Sequence, residues 1–408
     1  MPTLDYTEIS SDSTFNPAVA SATLALETTR NNAIMAIALQ TGIATKHNDL
    51  QAERGGTTVN LSDMKRANAK GGTGAADRYS NARKVEYGSR TLIVNDLFDS
   101  VTFANTGSVY QQAAAFDLKS NTVKDSVNFI KRMQSYAIMN QLAGNTATSI
   151  LVPGCYDAAL TSSADILRAT GFNAAVAPDS TYKLYGSNAA GGVTTDQGIT
   201  TTANVLKWSD IQIAKEVATA TAVGRPAFEP LENDAYQYVL FVGQTGWTQL
   251  ENDAVTTGQG INVAQLRYAS LAGGSDIKVG KGGIPYPNFI IDDVLVIVLP
   301  NDLMPNGVHS GTAASVSTVR RAVLCGKGAL DIAFGKGYSD SGMSKADMES
   351  VNGASVILDD VTYKANRDAT LASNVIWGCK KKVVSGFGSY SSSTYDSSVI
   401  TISHYSAR

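Results

Sequence analysis

Three cysteines and three histidines in 408 residues leave the chain poorly equipped for redox, metal or nucleophilic chemistry. Cys155, Cys325 and Cys379 form an odd, widely spaced set with no CxxC, which reads as reduced, buried thiols and excludes a disulfide framework. His47, His309 and His404 belong to no HExxH, paired Cys/His or EF-hand pattern, and a Cys/His or Ser/His pair would need a long-range arrangement that nothing local announces. Charge is sparse too, at 17% of residues against roughly 25% in ordinary soluble domains, a surface suited to burial against neighbours. The net charge of −3 exerts no global pull toward nucleic acid. The strongest apolar run, Val294 to Leu299, falls far short of the roughly 20 residues that span a bilayer. Met1-Pro-Thr-Leu-Asp-Tyr-Thr-Glu has neither the basic start nor the apolar core of a secretory signal. The expectation is a soluble protein of a reducing cytoplasm, without membrane, metal or cofactor.

What the chain does have is 43% hydrophobic residues and 36 glycines, enough for a sizeable core in one large or two interleaved domains with many loops and strands. Its strongest pattern runs from Tyr87 to Gly144. A strand-like run, Arg90-Thr-Leu-Ile-Val-Asn-Asp, leads through an alanine-rich bend into a helix predicted over 117–143. There Val123, Val127, Ile130, Met133, Ala137 and Leu142 draw one apolar stripe, with Lys119, Lys124, Asp125, Lys131 and Arg132 mostly off it. Asp117 offers a cap and Gly144-Asn145 a left-handed stop. About 27 residues at 1.5 Å rise make a rod of roughly 40 Å, against an average helix of about 11 residues. Before the rod, Gly55-Gly-Thr-Thr-Val-Asn-Leu to Ser89 reads as two extended limbs flanking the soft tip Ala69-Lys-Gly-Gly-Thr-Gly, with little core of its own. Upstream, Asn16-Pro17 and Gly42 bracket a single helix carrying Val19, Leu24, Leu26, Ile34, Ile37 and Leu39.

Downstream, 148–202 reads as irregular structure with short strands, followed by a helix over Trp208–Ala222 capped by Ser209-Asp210. A buried strand at Gln237–Gly243, a helix at Gln244–Asp253 and a strand at Phe289–Leu299 interrupted by Asp292-Asp293 come next. One or two strands over Val319–Phe334, then Ser355–Tyr363, Val375–Val384 and Val399–Tyr405, complete a β-rich last third. No repeat is visible, so solenoids and propellers are excluded and the class is α+β.

This order of arm, two-limbed loop and long helix resembles the tailed-phage major capsid proteins of the Hong Kong 97-type fold, and more narrowly the coliphage N-four branch. The resemblance is carried by Gly55-Gly-Thr-Thr-Val-Asn-Leu, Phe116-Asp-Leu-Lys to Leu142-Ala-Gly, Val375-Ile-Trp-Gly-Cys-Lys-Lys-Lys and Ser398-Val-Ile-Thr-Ile-Ser-His. Tyr238-Val-Leu-Phe-Val and Asn288-Phe-Ile-Ile-Asp-Asp lie between them. It implies an N-terminal arm (1–54), an extended loop (55–95), a peripheral domain with the spine helix (96–204), an axial domain (205–350) and return strands to the periphery (351–408). It further implies self-assembly into pentamers and hexamers of an icosahedral head that encloses DNA. Portal and scaffolding proteins, and a decoration protein, would be partners, with assembly in the host bacterial cytoplasm and a final place in the virion.

Charged residues supply the candidate sites. Lys65, Arg66, Lys70, Arg78, Arg83 and Lys84 are opposed within their segment only by Asp63, Asp77 and Glu86, which marks either a solvated loop or a tongue docking on an acidic neighbour. Lys380, Lys381 and Lys382 read as a run facing packaged DNA or as a solvated strand end. Asp292-Asp293 and Asp359-Asp360 are turn or edge positions, since neighbours in a strand point to opposite faces and cannot clamp one ion. His404, in an alternating strand, reads as a packed ring. The rival readings are an enzyme with its site in the glycine-rich stretch around Lys327 and a non-capsid assembly protein, either a tail component or a cellular nanocompartment shell. The enzyme fails on spacing: a phosphate loop ending at Lys336 needs glycine where Leu330 stands, and Gly337 replaces the required Ser or Thr.

Overall fold

Where the sequence predicts one helix from Asn16 to Gly42, the structure, a computed structural model, begins a new one at α1 (Ala33–Gln40). Residues 24, 32–47, 57–65, 86–104, 118–152, 159–189, 192–200, 202–220, 227–233, 235–257, 284–335, 354–360, 368–385 and 394–406 are described. Asn32 forces the new start: its backbone is extended and its side chain accepts the Met35 N–H at 3.4 Å, a cap competing with helix continuation. Gly42, at φ 81°, ends the turn as expected. The predicted start at Asn16-Pro17 lies outside the described residues.

The rod is α2 (Leu118–Leu142), and Gly144 closes it at φ 59°. Val127, Ile130, Met133, Ala137 and Leu142 are all buried, as their spacing predicts. The structure goes further, because every residue from Met133 to Asn145 is buried, so the second half of the rod is enclosed on all sides rather than along one stripe. Two of its polar side chains are satisfied there by bonding backbone. Gln141 Nε2 donates to the carbonyls of Thr170 and Asn173, both at 2.6 Å, and Asn140 Nδ2 donates to Ala169 O at 3.0 Å. These acceptors end and follow α3 (Ser163–Ala169), a short helix inside the stretch read as irregular; its signal is Ser162, whose hydroxyl accepts from Asp165 N.

Two sheets pack on the rod. Sheet 1 places β1 (Ala44–His47) parallel to β11 (Leu330–Phe334), β11 against β13 (Asp368–Lys381), and β13 against both β12 (Ala354–Asp360) and β4 (Asn95–Ala104). Sheet 2 runs β5 (Lys183–Tyr185), β16 (Val399–Tyr405), β10 (Ser315–Cys325), β6 (Tyr238–Gly243), β8 (Val294–Leu299), β7 (Asn288–Ile291), with β9 (Asn306–Val308) beside β10. β6 and β8 are parallel and apolar on both faces, as a doubly covered strand must be. One face, with Val239, Phe241, Leu295 and Ile297, joins the core around α2. The other, with Leu240, Val242, Val296 and Val298, is covered by α4 (Trp208–Thr219) and α5 (Gln244–Thr257), where Trp247 stacks on Phe289 at 4.3 Å. Asp210, three residues into α4, accepts the Lys207 N–H at 2.9 Å and so caps the helix start.

Two expectations need correction. Phe289–Leu299 is a hairpin instead of one interrupted strand, with the Asp pair in a turn as its reading allowed: Asp292 and Asp293 have φ of 48° and 60°, the left-handed pair of a two-residue I′ turn. The sheets also do not part the chain at residue 350, since β11 joins sheet 1 and β16 joins sheet 2. Each sheet therefore borrows a strand from across that boundary.

Ile130 is fully buried between α2 and its surroundings. Ile130→Asp places an unpaired carboxylate there, costs several kcal/mol on the order set by polar burial, and should leave the chain insoluble or without cooperative unfolding by circular dichroism.

Candidate assembly surfaces and buried charges

The two predicted limbs form an antiparallel ribbon, β2 (Thr58–Lys65) with β3 (Glu86–Ile93), in register from Thr58↔Ile93 to Lys65↔Glu86. Its root is packed, through Val59 and Leu92 against Val94 and Ala333. Asn173 grips that root from both sides, accepting from Ile93 N at 2.9 Å and donating to Ile93 O at 2.8 Å. Gly378 makes the crossing possible, since a Cβ there would stand 2.1 Å from Ile93 O. Of the predicted docking residues, Lys65 ends the described part of β2, and Arg66, Lys70, Arg78, Arg83 and Lys84 lie outside the described residues.

The lysine run is split by the alternation of its strand. Lys380 points outward and donates to Thr91 O at 2.7 Å, while burial and the neighbouring Arg90 hold its pKa down. Lys381 points inward, is fully buried, and sits 2.7 Å from Asp396 Oδ1. The DNA-facing assignment of Lys381 is therefore corrected: it is a core cation. Burial pushes Lys381 down and Asp396 up, and their contact offsets both. Lys382, partly exposed, donates its backbone N–H to Ala329 O at 2.9 Å.

Three further charge clusters were not legible in the sequence. Asp331 on β11 binds His47 of β1 at 3.0 Å and pairs with Arg90 of β3, so one carboxylate ties three strands. Lys215 on α4 is clasped by Asp292 and Asp293, each at 3.3 Å, because the hairpin turn lets adjacent carboxylates converge as they could not in a strand. The largest cluster surrounds Arg321, which is buried. It donates to the carbonyls of Ala143 and Gly144 at the end of α2, both at 3.0 Å, and to Asp196 Oδ2 at 2.6 and 3.2 Å. Asp196 also accepts Val308 N–H at 2.8 Å and pairs with Lys183 at 3.0 Å. Burial alone would raise the Asp196 pKa, but Arg321 and Lys183 outweigh it and hold the carboxyl at about 2.

Other predicted chemistry finds no support in the geometry. The amides of Gly326, Lys327 and Gly328 donate to Ser398, Glu229 and Gly42 carbonyls, each at 2.9 Å, so this turn has no free N–H cradle for phosphate. Cys325 and Cys379 are buried free thiols, with pKa values raised by burial; Cys155 lies outside the described residues. Among the described residues no three His, Cys, Asp or Glu side chains gather to hold a metal ion, and no described helix is long and apolar enough to cross a membrane. His404 is a packed ring, held at about 4 by burial.

A spine helix between two sheets, with an extended ribbon at its flank, is the subunit architecture of Hong Kong 97-type capsid shells, and solved structures share it. The capsid of Ralstonia phage GP4 matches at 16% identity and a TM-score of 0.61, over 90% of this chain and 88% of that one. The cyanophage Pam1 capsid subunit matches at 15% and 0.56, over 89% and 88%. The capsid of Helicobacter pylori bacteriophage KHP30 matches at 13% and 0.54, over 99% of each chain. No curated protein sequence matches. The family model described as phage capsid protein spans residues 8–407, and the chain belongs to that family. It is a major capsid protein, a structural subunit of the virion shell that acts in many copies.

Two expectations follow from the buried charges. Arg321→Met strips Asp196 and two helix-end carbonyls of their main donor and should cost about 3–5 kcal/mol in urea unfolding, with Asp196→Leu restoring part of the loss in the double variant. For His404, the unfolded ring takes up a proton near 6.5 and the folded ring only near 4. Stability is thus full above 6.5 and falls as pH drops through that window, by about 2 kcal/mol between pH 6.5 and 5. Asp196 adds a loss only below about 3.8, toward 2. His404→Gln should flatten the upper part of the profile while leaving the lower part intact.

Proposed function

We propose that this capsid protein assembles as pentamers and hexamers into an icosahedral head that encloses phage DNA. The β2–β3 ribbon carries this reading: eight residue pairs extend from a root of four core residues, and a two-stranded ribbon in water is at best marginally stable without a surface to lie on. A neighbouring subunit supplies that surface. In this reading α2 braces the periphery, sheet 2 with its borrowed β16 forms the axial part, and the arm before residue 55 and the loop to residue 95 reach adjacent copies. The tongue residues Lys65, Arg66, Lys70, Arg78, Arg83 and Lys84 set register, and Lys380 with Lys382 remain the candidates for weak contact with DNA. The coliphage N-four branch fits the order of elements. Portal and scaffolding proteins, and a decoration protein, would join a shell assembled in the bacterial cytoplasm. No reaction is assigned, since the glycine-rich turn near Lys327 spends its amides on backbone carbonyls.

Replacing residues 66–85 by a two-glycine turn tests this. The root contacts remain, so circular dichroism and the urea midpoint should stay within about 1 kcal/mol of the parent, while shells disappear from sedimentation and negative-stain images. Shells from the shortened chain would show that the ribbon does not join subunits.

A further inference from the structure

Lys381 ends β13 of sheet 1, and Asp396 ends β15 (Thr394–Asp396), from which the chain runs into β16 of sheet 2. Backbone bonds bring the two together. β15 lies antiparallel to β14 (Val383–Ser385) with Val383 opposite Asp396, and Ser397 N donates to Lys382 O at 3.1 Å. Lys381 is pinned further by its own N–H, which donates to Gln141 Oε1 of the spine helix at 3.2 Å. Both side chains are sealed, at 0% and 2% exposure.

As an ion pair this contact is poorly served. Lys381 Nζ stands 2.7 Å from Asp396 Oδ1 but off the direction of a hydrogen bond, and buried charges repay their desolvation only when the geometry is good. Burial holds the Lys381 amine below its ordinary range and the Asp396 carboxyl above its own, which favours both groups neutral. The pair of Lys183 and Asp196 is the contrast. There, against burial, Arg321 and Lys183 keep the carboxyl at about 2, and an ionised carboxylate resists attack by an amine. Asp179 completes the Lys381 site. Its backbone N–H donates to Asp396 Oδ2 at 3.2 Å, where an oxyanion would form, and its carboxylate is close enough for its charge to act on both partners.

We propose that Lys381 and Asp396 condense into an amide within one subunit, a reaction the folded chain performs on itself. The Lys381 lone pair attacks Asp396 Cγ, and the oxyanion on Oδ2 is met by the Asp179 N–H. One proton passes from the nitrogen to the Asp179 carboxylate and from there to the Oδ1 hydroxyl, which leaves as water while Oδ2 becomes the amide carbonyl. Asp179 ends as it began, and no oxidant, metal or cofactor enters the balance. Holding amine and acid in contact supplies the effective concentration that the same condensation lacks in water. The bond fastens sheet 1 to the strand entering sheet 2, whatever the subunit assembles into.

Intact mass spectrometry of the denatured full chain tests this without any variant. The chain should weigh one water less than its sequence, and a digest should contain a branched peptide joining Lys381 to Asp396. Lys381→Met and Asp396→Leu should each have the full mass of their sequences, whereas Asp396→Asn should lose one ammonia if it reacts. Asp179→Ala keeps the backbone N–H and removes the carboxyl, so newly made chain should lose its water about a hundredfold more slowly. A parent of full mass, or a missing water without the Lys381 to Asp396 branch, overturns the bond. Loss of water from Asp179→Ala at the parental rate overturns the proton transfer through Asp179. A branched parent that forms no shells would instead sink the capsid reading and leave the bond standing.

Discussion

The carbonyl end of the spine helix has to be closed, and most of the structure is arranged around that closure. The last carbonyls of any α-helix lack intrahelical donors and carry the negative end of the helix dipole. At the surface water would satisfy them, but from Met133 to Asn145 this helix is enclosed. Arg321 closes the end from β10 of sheet 2, and its own charge then requires Asp196. Lys183 on β5 holds the other oxygen of that carboxylate. Two cations and one carboxylate leave an excess of one positive charge, set against a helix terminus worth about half a negative charge, so the assembly is close to neutral only because the helix ends there. Sheet 2 is thereby tied to the helix that also backs sheet 1.

Periodicity made the helices and the doubly covered strands legible. Val127, Ile130, Met133, Ala137 and Leu142 recur as a helix must, and the runs at Tyr238–Gly243 and Val294–Leu299 are apolar at every position because both faces are covered. Misses occurred where a local signal competed with a pattern. Asn32 sits inside an apolar helical repeat, and its side chain chose to cap a new helix. Asp292-Asp293 reads as turn or edge positions and forms the turn, but without the glycine that usually announces a I′ hairpin its flanks read as one interrupted strand. Composition alone groups the lysine run, whereas strand alternation places Lys381 on the face opposite Lys380 and Lys382. Nothing local pairs Asp196 with Arg321, 125 positions apart, or Lys381 with Asp396 across the β14–β15 corner at Val383–Ser385 and Thr394–Asp396.

The exchange of β11 and β16 between sheets has a mechanical side. Separating the segments before and after residue 350 would require pulling β11 out of sheet 1 and β16 out of sheet 2, breaking the ladders of β11 with β13 and β16 with β10. The subunit is therefore one interleaved body.

The root of the ribbon fixes more than its attachment. Asn173 holds both backbone groups of Ile93, and the absent side chain at Gly378 lets β3 lie directly on β13, so the ribbon leaves the subunit in one direction. Eight residues of strand reach roughly 26 Å, and over that lever a tilt of about 5° at the root displaces the far end by ~2 Å. In the proposed shell, where the ribbon lies on an adjacent copy, such an angle would bear on curvature, and particle size would depend partly on the few atoms that aim the ribbon.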